Sequence, residues 1–143
     1  MARLIEVTDK AISPERVIDK AKSNASGCVV TYVGLIREHS QGRPVLYVEY
    51  QDSKGQAENE LREIVREVSR KCQVENVAVS HRVGRLKVGE INLVVAVASA
   101  HRSEGFAACQ YVVDRFKERL PTGKMETYQD ASAAVQADEE TAK

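Results

Sequence analysis

Three segments of the chain have the apolar spacing of amphipathic helices. The first begins at Ser13-Pro14-Glu15, where a capping hydroxyl, a proline and an acid follow one another, and it ends near Asn24. The second extends from Gln56 to Lys71, and the third has Ser103 as its predicted N-cap and ends near Leu120. The apolar face predicted for the third helix consists of Phe106, Cys109, Val113, Phe116 and Leu120.

Four other segments have the composition and alternation of strands. Cys28 to Val33 is a β-branched run, and Val45 to Tyr50 is a second strand. Val77 to Val83 alternates as a half-buried strand does, and Ile91 to Ala98 is the most apolar of the four. The order α-β-β-α-β-β-α predicts an α+β fold, in which a largely antiparallel sheet is flanked by helices.

The length of 143 residues is that of a single domain, which we expect over residues 1–136. No strand is predicted beyond Met125, where the residues are small, polar and acidic. Residues 137–143 are predicted to form a mobile tail.

Charge and composition exclude several classes of function. The 21 basic and 21 acidic residues cancel, so no global field attracts nucleic acid or a membrane surface. No apolar run approaches the roughly 20 residues that span a bilayer, and the first ten residues do not resemble a signal peptide. We therefore expect a cytoplasmic protein whose anion sites, if any, are local.

The three cysteines are widely spaced and include no CxxC pair. That pattern argues against a disulfide framework and against a zinc site. Cys28 and Cys109 stand in apolar stretches and are predicted to be reduced packing residues. No metal and no cofactor is predicted.

Three groups of cations are candidates for function. His101-Arg102-Ser103 joins the most apolar strand to the last helix, where an anion is favoured, although a cap with two solvated residues fits equally well. Arg37-Glu38-His39 follows the first strand and, taken alone, is more typical of a polar loop than of a functional site. Lys117 and Lys124 flank a Pro-Thr-Gly break that places Lys124 outside the regular elements, and each alone is typical of an ordinary surface charge.

Convergence of these cations would change their chemistry. A lysine close to a second lysine and an arginine loses part of its preference for the charged form, and it can then act as a base or nucleophile near neutral pH. His81, by contrast, shares the apolar face of its strand with Val79 and Val83, and it is predicted to be a core histidine with satisfied ring nitrogens.

An ordered set of motifs from about Gly27 to Glu126 resembles the molybdopterin synthase catalytic subunit family. The segments that carry the resemblance are Gly27–Arg37, Leu46–Tyr50, His81–Leu86, Val97–Arg102, Asp114–Lys117 and Leu120–Lys124. Each fragment is weak alone, whereas the ordered set is specific.

The resemblance implies a fold of the α/β-hammerhead type and a sulfurtransferase activity. In this family, sulfur passes from a thiocarboxylate at the C-terminal Gly-Gly of a small ubiquitin-like carrier subunit to cyclic pyranopterin monophosphate, which becomes the molybdopterin dithiolene. The large subunit is a homodimer within a heterotetramer.

The site residues implied by the resemblance have distinct roles. Lys117 and Lys124 are the catalytic lysines, and Lys124 is the one nearer to the carrier tail. Arg37, His101 and Arg102 hold the anionic pterin. Residues that flank these motifs and are implied to line the pocket are Leu35, Ile36, Met125 and Glu126.

Thr122-Gly123 departs from the family pattern, in which a bulky apolar residue and a tryptophan precede the second lysine. Loss of that tryptophan motivates an alternative, a diverged non-catalytic paralogue that binds the carrier as an interaction module. Two further alternatives are a thiol enzyme that uses Cys109 or Cys28, and a phosphate-binding domain in which both lysines are dispensable.

Overall fold

The computed structural model describes residues 2–129 and 133–136 of the chain. These residues form three helices and nine strands. In chain order they are β1 (Ala2–Thr8), α1 (Pro14–Ala21), β2 (Cys28–Leu35), β3 (His39–Ser40), β4 (Arg43–Gln51), α2 (Ala57–Lys71), β5 (Asn76–Arg82), β6 (Gly84–Lys87), β7 (Ile91–Ser99), α3 (Arg102–Arg119), β8 (Gly123–Tyr128) and β9 (Ala133–Gln136).

The first sheet has the strand order β1-β5-β7-β2. β1 is parallel to β5, and the other two pairs are antiparallel. Val77 and Val79 of β5 pack into the core beneath α2 and α3, whereas Ala78 between them packs beneath α1. Since helices cover both faces, β5 is buried almost throughout, and the predicted half-buried strand over Val77 to Val83 is wrong in that respect.

The second sheet contains β3, β4, β8 and β9, with β6 paired to the other side of β4. Its register places Tyr50 of β4 opposite Lys124 of β8 and Val48 opposite Glu126. The prediction that Lys124 lies outside the regular elements is therefore wrong. Its backbone is part of a strand, and its side chain is 15% exposed.

The start of the first helix is confirmed, because Ser13 Oγ accepts a hydrogen bond of 3.3 Å from Arg16 N. That helix ends at Ala21, earlier than predicted. The predicted N-cap of the last helix is wrong, since His101 and not Ser103 occupies the cap position. Phe106 is also misassigned to the buried face, because it is 60% exposed.

The α+β class and the largely antiparallel pairing are confirmed. The domain boundary at residue 136 stays a prediction, and the tail predicted over residues 137–143 lies outside the described residues. No helix in the described part of the chain is both long enough and apolar enough to cross a membrane.

Candidate active site

A cavity of about 460 Å³ lies where the end of β2, the C-terminal end of α3 and the second sheet meet. Six of the residues predicted from the sequence line it: Leu35, Ile36, Arg37, Lys117, Lys124 and Glu126. Three of these six are cations and one is an acid. The structure thus brings the Arg37 motif and both lysines to one place, although 80 residues separate Arg37 from Lys117 in the chain.

Lys117 reaches the cavity from the last turn of α3. Its neighbour Phe116 points into the core, and this fixes the face of the helix on which Lys117 lies. Burial lowers the pKa of Lys117, and the positive charge of Arg37 lowers it further, while Asp114 acts in the opposite direction. The neutral amine is therefore more accessible here than in an exposed lysine.

Lys124 enters the same cavity from β8. Its Nζ lies 3.6 Å from Oε2 of Glu126, its next neighbour but one on the same face of the strand. Burial is again the largest cause of a lowered pKa, and the charges of Lys117 and Arg37 add to it. Glu126 opposes the shift without reversing it, because the carboxylate favours the charged ammonium.

Glu126 is buried, with 4% of its surface exposed. Its Oε1 accepts hydrogen bonds from Ser40 Oγ at 2.9 Å and from the Tyr128 hydroxyl at 2.7 Å. Two donors on one oxygen fix the carboxylate and leave Oε2 facing Lys124. The sequence placed Glu126 in the pocket only as a residue that flanks a motif, whereas its hydrogen bonds make it the anion that orients Lys124.

The inner wall of the cavity contains residues that sequence reasoning missed, namely Tyr32, Tyr50 and Asn92. Asn92 Nδ2 donates to the Tyr50 hydroxyl at 3.1 Å. A side chain at Gly34 would place its Cβ 2.8 Å from Asn92 Oδ1 and 3.0 Å from Tyr32 Cε2, so a larger residue there would displace these two side chains of the cavity wall. The sequence places Tyr50 and Val48 on the same face of their strand. It does not show that this face meets the lysines, which follows only from the pairing of β4 with β8.

His101 and Arg102 do not line this cavity. They lie exposed at the N-terminal end of α3, beside a second cavity of about 470 Å³ that Gly27, Cys28 and Ser103 also line. Sixteen positions separate His101 from Lys117, which corresponds to about 24 Å along a helix. Within one chain, a small anion cannot contact both groups at once.

Met125 is also separate from the lysine cavity. It alternates with Lys124 and Glu126 along β8, so its side chain is directed to the other face of the strand. Its backbone lies between Glu49 of β4 and Val135 of β9. The predicted role of Met125 in the pocket has no support from its position.

All three cysteines are free, and neither Cys28 nor Cys109 lines the lysine cavity. Burial raises the pKa of the Cys109 thiol to about 11, which disfavours the reactive thiolate. Among the described residues, no group of three or more His, Cys, Asp or Glu side chains could hold a metal ion.

Comparisons with known proteins point in one direction. A family profile described as "MoaE protein" matches residues 7–119. The molybdopterin synthase catalytic subunit of Thermoplasma volcanium is 33% identical over 130 residues, which are 91% of this chain and 95% of that protein.

Solved structures agree with the sequence comparisons. The crystal structure of molybdopterin synthase from Staphylococcus aureus superposes with a TM-score of 0.86 at 29% identity, over 93% of this chain and 96% of that one. The complex of subunits 1 and 2 of the molybdopterin-converting factor from Helicobacter pylori shares the fold, with a TM-score of 0.69 at 12% identity over 94% of this chain and 88% of that one.

Proposed function

The chain belongs to the MoaE family of molybdopterin synthase catalytic subunits, and from that premise we propose that the cavity of Arg37, Lys117 and Lys124 is its active site. Members of this family are sulfur-transfer enzymes of molybdenum cofactor biosynthesis. The observation that carries the proposal is the convergence of two half-buried lysines, both with a lowered pKa, on one arginine. A cytoplasmic location remains a prediction from the sequence.

The substrate we propose is an anionic pterin, cyclic pyranopterin monophosphate. Three cations around one cavity suit its phosphate, and the guanidinium of Arg37 can grip phosphate oxygens in a bidentate manner. The tyrosines and Asn92 of the inner wall offer a flat apolar surface and hydrogen-bonding groups to a pterin ring.

His101 and Arg102 keep their predicted role only if they act on the cavity of another copy. In a symmetric homodimer, the N-terminal end of α3 from one copy can approach the lysine cavity of its partner. Each active site then contains Arg37, Lys117 and Lys124 of one chain and His101 and Arg102 of the other. The resemblance groups His101 with Lys117 in one site, whereas about 24 Å separates them along the helix of a single chain. A site shared between two chains satisfies both.

The reaction we propose begins with the thiocarboxylate sulfur of the carrier. Sulfur bonds to a side-chain carbon of the pterin, and the carbon–oxygen bond at that carbon breaks as a lysine ammonium protonates the departing oxygen. The carrier and the pterin are then joined through a thioester. Water attacks the thioester carbonyl, the neutral lysine accepts its proton, the acyl carbon–sulfur bond breaks, and the carrier leaves as a carboxylate.

A buried lysine suits these reaction steps, because the catalytic group must be charged in the first step and neutral in the second. An exposed lysine is almost fully charged at neutral pH, whereas burial and neighbouring cations bring the two forms closer in free energy. Glu126 beside Lys124 keeps the charged form available. No metal, cofactor or thiol of this chain takes part in the proposed steps.

The partner we propose is a small ubiquitin-like sulfur carrier whose C-terminal Gly-Gly enters the cavity. The fold relative from Helicobacter pylori is a complex of subunits 1 and 2 of the molybdopterin-converting factor. Together with the homodimer, two carriers would make a heterotetramer. The side of the cavity near Lys124 is where we expect the carrier tail.

The main alternative is a non-catalytic paralogue that binds the carrier without turnover. Its motivation was that Thr122-Gly123 stands where the family has a bulky apolar residue and a tryptophan before the second lysine. Thr122 is buried, with 3% of its surface exposed, and Lys124 lines the cavity beside Glu126. These positions favour the active enzyme.

Product formation tests the proposal. The purified chain is mixed with thiocarboxylated carrier and pyranopterin monophosphate, and molybdopterin is measured as its fluorescent oxidised derivative. We expect product with the wild type and a loss of about 100- to 10,000-fold with Lys124→Ala, which removes a proton-transfer group. Lys20→Ala, at an exposed position of α1, is the matched control and should retain full activity.

Carrier affinity is measured in parallel by titration calorimetry. Tight binding of the carrier without product, when the same carrier is active with a known synthase, would support the paralogue. Product formation by Lys124→Ala at the wild-type rate would remove Lys124 from the mechanism.

A further inference from the structure

His81 lies beneath the lysine cavity without lining it. It belongs to β5, has no exposed surface, and uses both ring nitrogens in hydrogen bonds. Nδ1 is 2.8 Å from the backbone oxygen of Asn92, and Nε2 is 2.8 Å from Oγ1 of Thr122. The predicted core histidine with satisfied nitrogens is confirmed, and its two partners belong to the wall of the cavity and to the segment that precedes Lys124.

The direction of these two hydrogen bonds follows from the chemistry of the partners. A carbonyl oxygen only accepts, so Nδ1 carries the proton of the neutral ring and donates it to Asn92. Nε2 is then unprotonated, and its lone pair accepts a hydrogen bond from the hydroxyl of Thr122. Burial keeps the ring neutral by lowering the pKa of His81 to about 4. Of the two groups that bond to the His81 ring, one is a backbone carbonyl and the other is the side-chain hydroxyl of Thr122. Only the hydrogen bond from Thr122 can therefore be removed by substituting the partner's side chain.

The His81 ring also contacts two aromatic residues, and one of them is next to Lys117 in α3. The His81 ring lies 5.1 Å from that of Tyr50 and 4.9 Å from that of Phe116, both in edge-on geometry. Phe116 directly precedes Lys117 in α3, and Tyr50 forms part of the cavity wall. One buried side chain thus contacts the segments that carry both lysines.

The turn between α3 and β8 needs such an anchor. Leu120 adopts φ 34° and ψ 81°, a left-handed conformation that is unfavourable for a branched apolar residue. A conformation of this kind persists only where the surroundings hold it. The buried hydroxyl of Thr122, two residues further on, is tied to His81 and holds the chain as it enters β8.

We propose that His81 and Thr122 are positioning residues, whose hydrogen bond sets the path of the turn and thereby the placement of Lys124 beside Glu126 and Lys117. Neither residue touches the substrate. Their contribution is to fix the backbone from which Lys124 extends, and a displacement of about 1 Å in a reacting group can lower a rate by about a hundredfold. The inference rests on the proposed function for its activity readout, although not for its second readout.

Two variants of Thr122 isolate the hydrogen bond. Thr122→Val keeps the branched shape and removes the hydroxyl, whereas Thr122→Ser keeps the hydroxyl. We expect Thr122→Val to lower kcat about ten- to a hundredfold with a KM for the pterin that changes less than about threefold. Thr122→Ser should stay within about threefold of the wild type.

Ser13→Ala is the matched control for a loss of stability alone. It removes the N-cap hydrogen bond of α1, far from the cavity, and therefore lowers the melting temperature without moving a lysine. If Thr122→Val acts only through stability, it will resemble Ser13→Ala and keep the wild-type kcat well below its melting temperature. That result would overturn the proposal.

The second readout does not depend on activity. Competitive acetylation across a range of pH, quantified by mass spectrometry, reports the reactivity of Lys124 relative to exposed Lys20 in the same sample. We expect the neutral fraction of Lys124 at a given pH to change about threefold in Thr122→Val and to stay unchanged in Thr122→Ser. An unchanged profile in Thr122→Val, with unchanged kcat, contradicts the inference.

The two readouts separate the two proposals. A wild type that makes no product, but whose Lys124 profile moves in Thr122→Val, refutes the proposed function and supports the positioning role. If Thr122→Val does not fold, His81→Asn takes its place, because the shorter amide can still donate to the Asn92 carbonyl and cannot reach Thr122. The same shift in Lys124 is then expected, and its absence overturns the inference.

Discussion

The two ends of α3 carry cations in contrasting surroundings. At the N-terminal end, His101 and Arg102 are exposed, next to free backbone N–H groups that favour an anion. At the C-terminal end, Lys117 sits in the last turn, where the helix dipole favours a cation, yet burial beside Arg37 lowers its pKa. The first end is suited to holding a negative charge, and the second to exchanging protons.

Position on a helix does not by itself decide the protonation behaviour of a charged side chain. The dipole acts within about one turn and contributes a few tenths to 1 kcal/mol at exposed sites. Desolvation at the C-terminal end acts against the charge and is the largest cause of the lower pKa of Lys117. Cover by the second sheet is therefore what distinguishes the proton-exchanging end of α3 from the exposed end.

The largest effect is expected from removal of Lys117 at the C-terminal end of α3. Lys117→Ala should lower turnover by about 100- to 10,000-fold, because it removes a candidate proton-transfer group from the cavity. The measurement is the rate of molybdopterin formation at saturating carrier. Glu118→Ala, one residue further along the same helix and exposed, is the control, and an equal loss in that variant would show that α3 itself had been disturbed.

Lowering the pH should reduce the free energy of unfolding, because His81, which packs beneath the C-terminal end of α3, stays unprotonated in the folded protein. The pKa of His81 is lowered from 6.5 to about 4, chiefly by burial, while its bond to the Asn92 carbonyl and the charge of Asp52 act in the opposite direction. Between these two pH values the unfolded chain binds a proton at His81 and the folded chain does not, so stability falls as the pH is lowered from 6.5 towards 4. The full loss is about 3 kcal/mol.

Urea denaturation at several pH values measures this loss. His81→Gln keeps a polar side chain that does not titrate, so the difference in unfolding free energy between this variant and the wild type should change by about 3 kcal/mol over the same range. Carboxylates that titrate in acid affect both proteins equally and cancel. A constant difference would show that His81 does not carry the acid sensitivity.

A substitution in the core beneath the middle of α3 should lower the stability of the whole fold without a specific effect on either end of the helix. Val95 lies fully buried in β7 and packs in the same cluster as Val112 and Phe116. Val95→Ala should destabilise the fold by roughly 1–3 kcal/mol and leave kcat unchanged in the folded protein. Thermal melts and kinetics on the same preparation check both parts, and a selective loss of kcat would link the core to the cavity more directly than proposed.

Removal of Arg102 should have the smallest effect of the four. Because Arg102 is exposed, we expect Arg102→Ala to raise KM for the pterin about fivefold, close to 1 kcal/mol, with little change in kcat. The sharper measurement mixes Arg102→Ala with Lys124→Ala subunits in equal amounts and assays the mixture at pterin concentrations well below KM. If each site contains residues of both chains, half of the random dimers have one intact site, and the mixture should have about 30% of the wild-type activity. A value of about 10%, the mean of the two separate variants, would exclude a shared site.

The most strongly patterned elements of the fold can be predicted from local sequence alone. The β-branched run of β2, the continuous apolar run of β7 and the spaced apolar residues of α2 each bury enough surface to identify themselves locally. The alternation of Val79, His81 and Val83 likewise identified His81 as a core residue, because it depends on near neighbours in the chain. Arg37, Lys117 and Lys124 were identified by the resemblance, which depends on the order of several motifs along the chain.

Only the tertiary structure decided the rest. β8, with Lys124 and Glu126 on one face, is too short and polar to be recognised locally, and it exists as a strand because β4 pairs with it. The same pairing covers Lys124, whose pKa then falls, and Thr122 becomes a hydrogen-bond donor only where His81 lies within reach. The length of α3 likewise separates His101 from Lys117, which the motifs alone had grouped in one site. Burial, pairing and distance are properties of residues far apart in the chain, and for that reason no local pattern could contain them.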